Sequence, residues 1–252
     1  MSSFSGKTTS ITKGYGANEW LLVKKPKGQE GHLAIPTKKE IINLYRKRGK
    51  RYDFTANLYY LLGFREYAYR KRAVEELGLT QGDTVVEIGC GTGLNFPFLQ
   101  QKIGPNGKII GVDLTDAMLA QARKRAEKNG WKNVELVQQD ASTFSFPSGV
   151  DGIISTFALT LVPGFEQVIR NGCHGLKPGK KWVVLDFKLP SGRLSALVPL
   201  AIFITKPFAV TKELAERHPW EAIEKYCKNV RMTELYFGFA YISSGERGDD
   251  GC

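Results

Sequence analysis

From residue 80 onward the chain alternates between two textures. Short, nearly unbroken apolar runs give way to stretches in which apolar residues return every three or four positions. The runs predict strands at Thr84–Ile88, Lys108–Asp113, Asn133–Gln138, Val150–Ser155 and Lys181–Phe187. The stretches between them predict helices, most clearly at Ala117–Asn129 and Phe165–Cys173. Such alternation requires crossover connections, hence a parallel sheet with helices on both faces. Residues 189–229 interrupt the rhythm with an apolar segment and "HPWEAIEKYCKN". "VRMTELYFGFAYISSG" then reads as a terminal β-hairpin with Gly238 inside it.

The first third of the chain is different. Residues 1–36 are rich in Gly, Lys, Ser and Thr without periodicity, and read as a partly disordered basic arm. After Pro36, Ile41, Leu44 and Tyr45 fall at helical spacing, with Thr37 as N-cap. Lys38, Lys39, Arg46, Lys47 and Arg48 occupy the opposite face. "NLYYLLGFREYAYRKRAVEELGL" continues in helix and is closed by Gly78. The expected organisation is an arm over 1–36, a basic helical cap over 37–79 and an α/β core over 80–252. Residues 189–229 form an insert or lid within that core.

Composition narrows this picture. A chain of 252 residues can bury one large core. Its start lacks the apolar region of a secretory leader, and the longest uncharged apolar stretch, Leu194–Thr205, contains Pro199. That stretch falls short of the roughly 20 residues a spanning helix needs. Cys90, Cys173, Cys227 and Cys252 show no CxxC and no metal-like spacing to His32, His174 or His218. A reduced, cytoplasmic chain without bound metal is therefore expected. The net charge of +11 is localised: residues 1–72 hold 16 Lys/Arg against 5 Asp/Glu, while residues 73–252 hold 20 of each. Charge confined to one segment implies either a face that meets an anionic partner or a solvated, lysine-rich tail.

The chemistry begins at "VVEIGCGTGLN", a strand that ends in an acid and three spaced glycines. A dinucleotide fingerprint needs a small third residue, and Leu94 stands there when counting from Gly89; G-K-[ST] of a phosphate loop is absent. Glu87 ahead of Gly89, Gly91 and Gly93 would repel phosphate and attract a cation. S-Adenosylmethionine carries an ammonium and a sulfonium and no phosphate, so it suits this loop better. Asp113, at the tip of the next strand, can accept both ribose hydroxyls. Asp140, in "QQDAS" after the third strand, can accept the adenine amino hydrogen.

With these residues the chain resembles the class I S-adenosylmethionine-dependent methyltransferases. The resemblance covers roughly residues 80–190 and rests on EIGCGTG, GVDLTDAML, QQDAS and LKPGKKWVVLDF in order. It implies a Rossmann-like seven-stranded sheet, mostly parallel, whose last strands form an antiparallel hairpin. It also implies that Cys90, Leu114, Met118 and Ala141 join the glycines and acids around the cofactor, with Ser155, Thr156 and Phe157 at its methionine end.

The acceptor is less defined. The (N/D)PP(Y/F/W) motif of base-amine enzymes is replaced by "STFALTLVPG", and no Pro-Cys nucleophile is present. Nucleic acid is thus disfavoured, although a basic arm can grip RNA backbone. "LSALVPLAIFITKPFAV" and the basic helix suit a protein lying on an anionic membrane surface and drawing in a lipid. The same segment is equally a buried lid over a pocket for a soluble substrate. "YRKRGKRYDFTANLYYLLGF" and "HPWEAIEKYCKNVRMTELYFGFAYISSG" are similar to bacterial phosphatidylethanolamine N-methyltransferases and to the methyltransferase parts of betaine-lipid synthases. Related quinone C-methyltransferases share the core. That resemblance implies that Tyr52 lies over the cofactor, the alternative being a packing aromatic. An amine acceptor must lose or share a proton before attack, and Tyr52, Tyr59, Tyr60, His218 and Tyr241 are the candidate acceptors of it. The expected activity is methylation of a phospholipid or amino-lipid amine by a peripheral membrane enzyme. The alternatives are C- or O-methylation of a prenylated quinone or small apolar acceptor, and a cofactor- or RNA-binding module without catalysis.

Overall fold

The computed structural model describes residues 38–48, 63–190, 217–249 and 251. The basic arm, Thr37, Tyr52, Tyr59, Tyr60 and the apolar stretch Leu194–Thr205 lie outside the described residues.

The chain runs α1 (Lys38–Arg48), α2 (Glu66–Glu76), β1 (Thr84–Ile88), α3 (Phe96–Ile103), β2 (Lys108–Asp113), α4 (Asp116–Lys128) and β3 (Val134–Gln138). It continues with β4 (Val150–Thr156), α5 (Phe165–Gly175), β5 (Leu176–Phe187), α6 (Pro219–Tyr226), β6 (Lys228–Leu235) and β7 (Ala240–Glu246). The seven strands form one sheet in the order β3-β2-β1-β4-β5-β7-β6. Strands β1 to β5 pair with one another in parallel, and β7 runs antiparallel to both β5 and β6. This is the Rossmann-like arrangement that the apolar runs and the terminal hairpin predict.

The central strands are mostly apolar because both faces are covered. On one face Val85, Ile109 and Ile154 meet Ala73 and Val74 of α2, Leu99 and Ile103 of α3 and Leu119 and Ala122 of α4. On the other, Val86, Ile88, Ile153 and Trp182 meet Val168 and Ile169 of α5 and Ala222 and Ile223 of α6. β6 is an edge strand and carries exposed Lys228, Arg231 and Glu234, charges that discourage edge-to-edge association.

Gly238 lies inside the terminal hairpin as expected, in the 3₁₀ turn between β6 and β7. The segment expected to interrupt the fold contains α6, started by Pro219 at its first turn, where a missing N–H costs nothing. Cys90 and Cys227 are free and buried.

Candidate active site

The crossover from β1 into α3 builds the floor of a cleft at the carboxyl ends of the strands, where the strand order reverses. The N–H groups of Gly89 and Cys90 both donate to the Val112 carbonyl, at 2.8 and 3.0 Å, drawing the loop onto β2. Gly89 and Gly91 have φ of +68° and +54°, a left-handed region that side chains disfavour. A Cβ on Gly89 would stand 2.3 Å from that of Ala158, whereas one on Gly91 would meet no protein atom within 4 Å. Gly91 therefore leaves bare backbone facing open space. Gly93 serves packing: its Cβ would run into the Phe96 ring at 2.6 Å. From α4, Arg125 Nε donates to the Thr92 carbonyl at 2.9 Å and clamps the loop.

Asp113 closes the next side. Its Oδ2 accepts the Gly91 N–H at 2.9 Å and its Oδ1 accepts the Thr115 N–H at 2.8 Å. Burial pushes its carboxyl up from the usual range, while those two N–H donors pull it back. Each oxygen retains a second lone pair for a hydroxyl donor. Asp140 caps a 3₁₀ turn, its Oδ1 accepting the Ser142 N–H at 2.9 Å and the Ser142 hydroxyl at 2.7 Å. Asp113 and Asp140 both line the cleft, together with Gly89, Cys90, Gly91, Leu114, Met118 and Ala141. The Cys90 thiol is pushed up by burial and stays neutral, an apolar part of the wall.

Glu87 takes another place. It is buried beneath the loop, and only Asn95 Nδ2, at 2.7 Å, bonds its Oε1; its Oε2 has no partner. Burial raises its carboxyl to about 8, against the pull of Arg70 and Asn95. At neutral pH it is mostly protonated and offers no charge to a cation. The three acids of the sequence reading resolve into two on the cleft wall and one under its floor.

The opposite end is formed by residues after β4. Thr156 and Phe157 line it, while Ser155 is fully buried with its hydroxyl unpartnered. Phe157 has φ of +54°, and its N–H donates to the Leu185 carbonyl at 2.7 Å. This strained backbone turns the ring toward Phe64 and Phe187, at centroid distances of 5.8 and 4.7 Å. Ala158, Leu161, Val162 and Pro163 extend the apolar wall.

Two contributors were not anticipated as site residues. Arg70 of α2 is buried within "YRKR", a run that reads as surface charge. It pairs with Glu66 at 2.7 Å, donates to the Thr156 hydroxyl and lies over the Phe157 ring at 5.2 Å. Tyr45 of α1 also lines the cleft, held there by the Arg46–Asp116 ion pair at 2.8 Å between α1 and α4. Among the described residues of the basic cap, the aromatic that lines the cleft is Tyr45, whose helical spacing gave it a packing role.

The catalytic candidates that can be placed stand elsewhere. Tyr241 is fully buried in β7, edge-on to Trp220 at 4.9 Å, with its hydroxyl unpartnered. Burial, and then Asp186, push that hydroxyl well above its ordinary range, so it holds its proton. His218 stacks on Trp220 at 4.4 Å, and its Nδ1 lies 2.7 Å from Glu221 Oε1. Neither lines the cleft among the described residues.

A family model described as a methyltransferase domain matches residues 79–236. The chain belongs to that family. The protein is an S-adenosyl-L-methionine-dependent methyltransferase. The methyltransferase is similar to the ubiquinone/menaquinone biosynthesis C-methyltransferase of Pseudomonas putida (strain GB-1), at 27% identity over 175 residues and 68% of each chain. Geranyl diphosphate C-methyltransferase from Streptomyces coelicolor A3(2), solved with Mg2+, geranyl diphosphate and S-adenosyl-L-homocysteine, shares its fold. The TM-score is 0.56 at 16% identity, over 71% of this chain and 78% of that one. Phosphoethanolamine N-methyltransferase 2 of Haemonchus contortus, solved with S-adenosyl-L-methionine, also shares it. There the TM-score is 0.53 at 21% identity, over 66% of this chain and 38% of that one. The cleft of the methyltransferase fits such a donor. Gly91 leaves room for it, the Asp113 carboxylate stands at a strand tip, and no cluster of cationic side chains marks a phosphate among the described lining residues.

Proposed function

We propose that this methyltransferase alkylates a ring carbon of a prenylated quinol or a comparable uncharged, apolar acceptor. The observation that carries the reading is the wall formed by Phe157, Ala158, Leu161, Val162 and Pro163, in which Arg70 already covers the Phe157 ring. A ring that would otherwise hold a methylated ammonium has a guanidinium over it, which disfavours a protonated amine as acceptor. The ubiquinone/menaquinone biosynthesis C-methyltransferase of Pseudomonas putida supports the same choice, as does the demethylmenaquinone methyltransferase of Listeria welshimeri, 30% identical over 124 residues.

When bound, S-adenosyl-L-methionine supplies an electrophilic methyl on a sulfonium. Asp113 would hold the ribose hydroxyls, Asp140 and Ala141 would border the adenine, and Thr156 and Phe157 would flank the methionine end. Their task is positioning and exclusion of water, because the methyl needs no further activation by the protein. The test offers tritiated S-adenosyl-L-methionine with a short-chain quinol, phosphatidylethanolamine vesicles and RNA in parallel. Label in the quinol supports the reading. Label confined to lipid or to RNA overturns it.

A further inference from the structure

Among the described residues the exposed large apolar side chains are Tyr67, Met232 and Phe237, and all belong to α2 or to the β6–β7 hairpin. Arg72 of α2 donates to the Thr233 hydroxyl of β6 at 3.4 Å, which ties the two elements together. Phe237 stands out, with 75% of its surface in water. It sits in the turn joining β6 to β7, where Tyr236 and Phe237 have consecutive φ of +47° and +58°. Neither residue is suited to that conformation, and Phe237 meets the Tyr236 ring at 5.7 Å while most of its surface stays in water. A turn that keeps a strained aromatic in solvent points to a ligand outside the chain.

The place of the turn indicates which ligand. β7 begins opposite Phe187, the last residue of β5, so the turn lies at the same sheet edge as the cofactor cleft. The Tyr236 ring lies 5.3 Å from that of Phe64, which in turn contacts Phe157 of the cleft wall. Cations stand on the elements beside the turn: Arg65 follows Phe64, whose ring meets Tyr236, and Arg72 of α2 is bonded to Thr233 of β6. An aromatic tip with cations beside it matches a bilayer interface with anionic headgroups.

We infer that the Tyr236–Phe239 turn is a membrane-docking tip that inserts Phe237 at a lipid surface beside the acceptor mouth. The inference rests on the apolar-acceptor reading for its purpose, and on exposure, backbone conformation and charge for its place. It draws on Arg65 and Arg72 of the basic first third and is otherwise separate from the basic arm over residues 1–36.

The test uses the full chain with vesicles of phosphatidylcholine and of phosphatidylcholine with phosphatidylglycerol. Phe237→Gly removes the ring while suiting the positive φ, so the fold is retained. Its affinity for the mixed vesicles is expected to fall about tenfold, since most of one phenyl ring no longer enters the lipid. Phe237→Trp is expected to shift its emission to shorter wavelength when vesicles are added. Methylation of a short-chain, water-soluble quinol by Phe237→Gly is expected to match the parent. Vesicle binding by Phe237→Gly equal to the parent's overturns the inference. So does a parent dimer that dissociates in Phe237→Gly without any emission shift in Phe237→Trp, which assigns the surface to a second copy. The vesicle measurements need no acceptor, so failure to methylate the quinol counts against the function alone.

Discussion

Gly89 and Gly91 share a backbone conformation and differ in what surrounds them, and this separates their expected variants. Gly89→Ala drives a methyl to within 2.3 Å of the Ala158 side chain in addition to the strained φ. It is expected to lose roughly 2–4 kcal/mol of stability in denaturant titration. Gly91→Ala carries strain without a clash and should lose about 1 kcal/mol, with calorimetry showing weakened S-adenosyl-L-methionine binding. Asp113→Asn removes the charge proposed to accept the ribose hydroxyls and places an amide where one N–H donor points. A roughly 10–100-fold rise in cofactor Kd is expected from the loss of charged hydrogen bonds. Glu87 makes a pH prediction. The folded protein keeps its proton up to about pH 8 while the unfolded chain releases it near 4.5, so stability falls as pH rises between those values. The slope from this group approaches at most about 1.4 kcal/mol per pH unit. Glu87→Gln keeps an acceptor for Asn95 and should flatten the decline in melts recorded from pH 5 to 9; an unchanged slope refutes the assignment. Asp113 and Asp140 were legible because each follows a strand tip in the sequence. The burial of Glu87 was not, since residue order does not say which side of a loop a carboxyl turns to.

At the scale of elements, α1 joins a charged outer face to an aromatic that reaches the cleft. The Arg46–Asp116 pair is half exposed on both sides, so Arg46→Ala should leave the melting temperature nearly unchanged. Tyr45→Ala removes a cleft-lining ring and is expected to raise cofactor Kd about fivefold with little change in melting temperature. Calorimetry with thermal melts distinguishes the two effects. The strands were readable to within a residue or two at most ends because unbroken apolar runs report burial on both faces. β5 is the exception: it starts at Leu176, across a register shift opposite Val150–Gly152, where Pro178 and Gly179 read as a loop. α2 was foreseen as a helix, but Arg70 within it reads as one more surface cation. Only the fold shows that its partners Glu66, Thr156 and Phe157 surround it under the cleft.

At the scale of the molecule, the family's sheet and the direction of its strands followed from the rhythm of the chain, because crossover geometry leaves few alternatives. The acceptor did not, because the cleft's apolar wall is gathered from α1, α2 and the turn after β4, segments without a shared motif. The order β5-β7-β6 carries one more implication. β7 is the seventh strand to leave the ribosome, yet it lies between two that precede it. Until it emerges, β5 has an open edge and β6 has nothing to pair with, so a nascent chain ending near residue 239 presents a hydrophobic, unpaired border that invites aggregation. Translation through the final hairpin is therefore the interval in which this polypeptide most depends on protection from its neighbours.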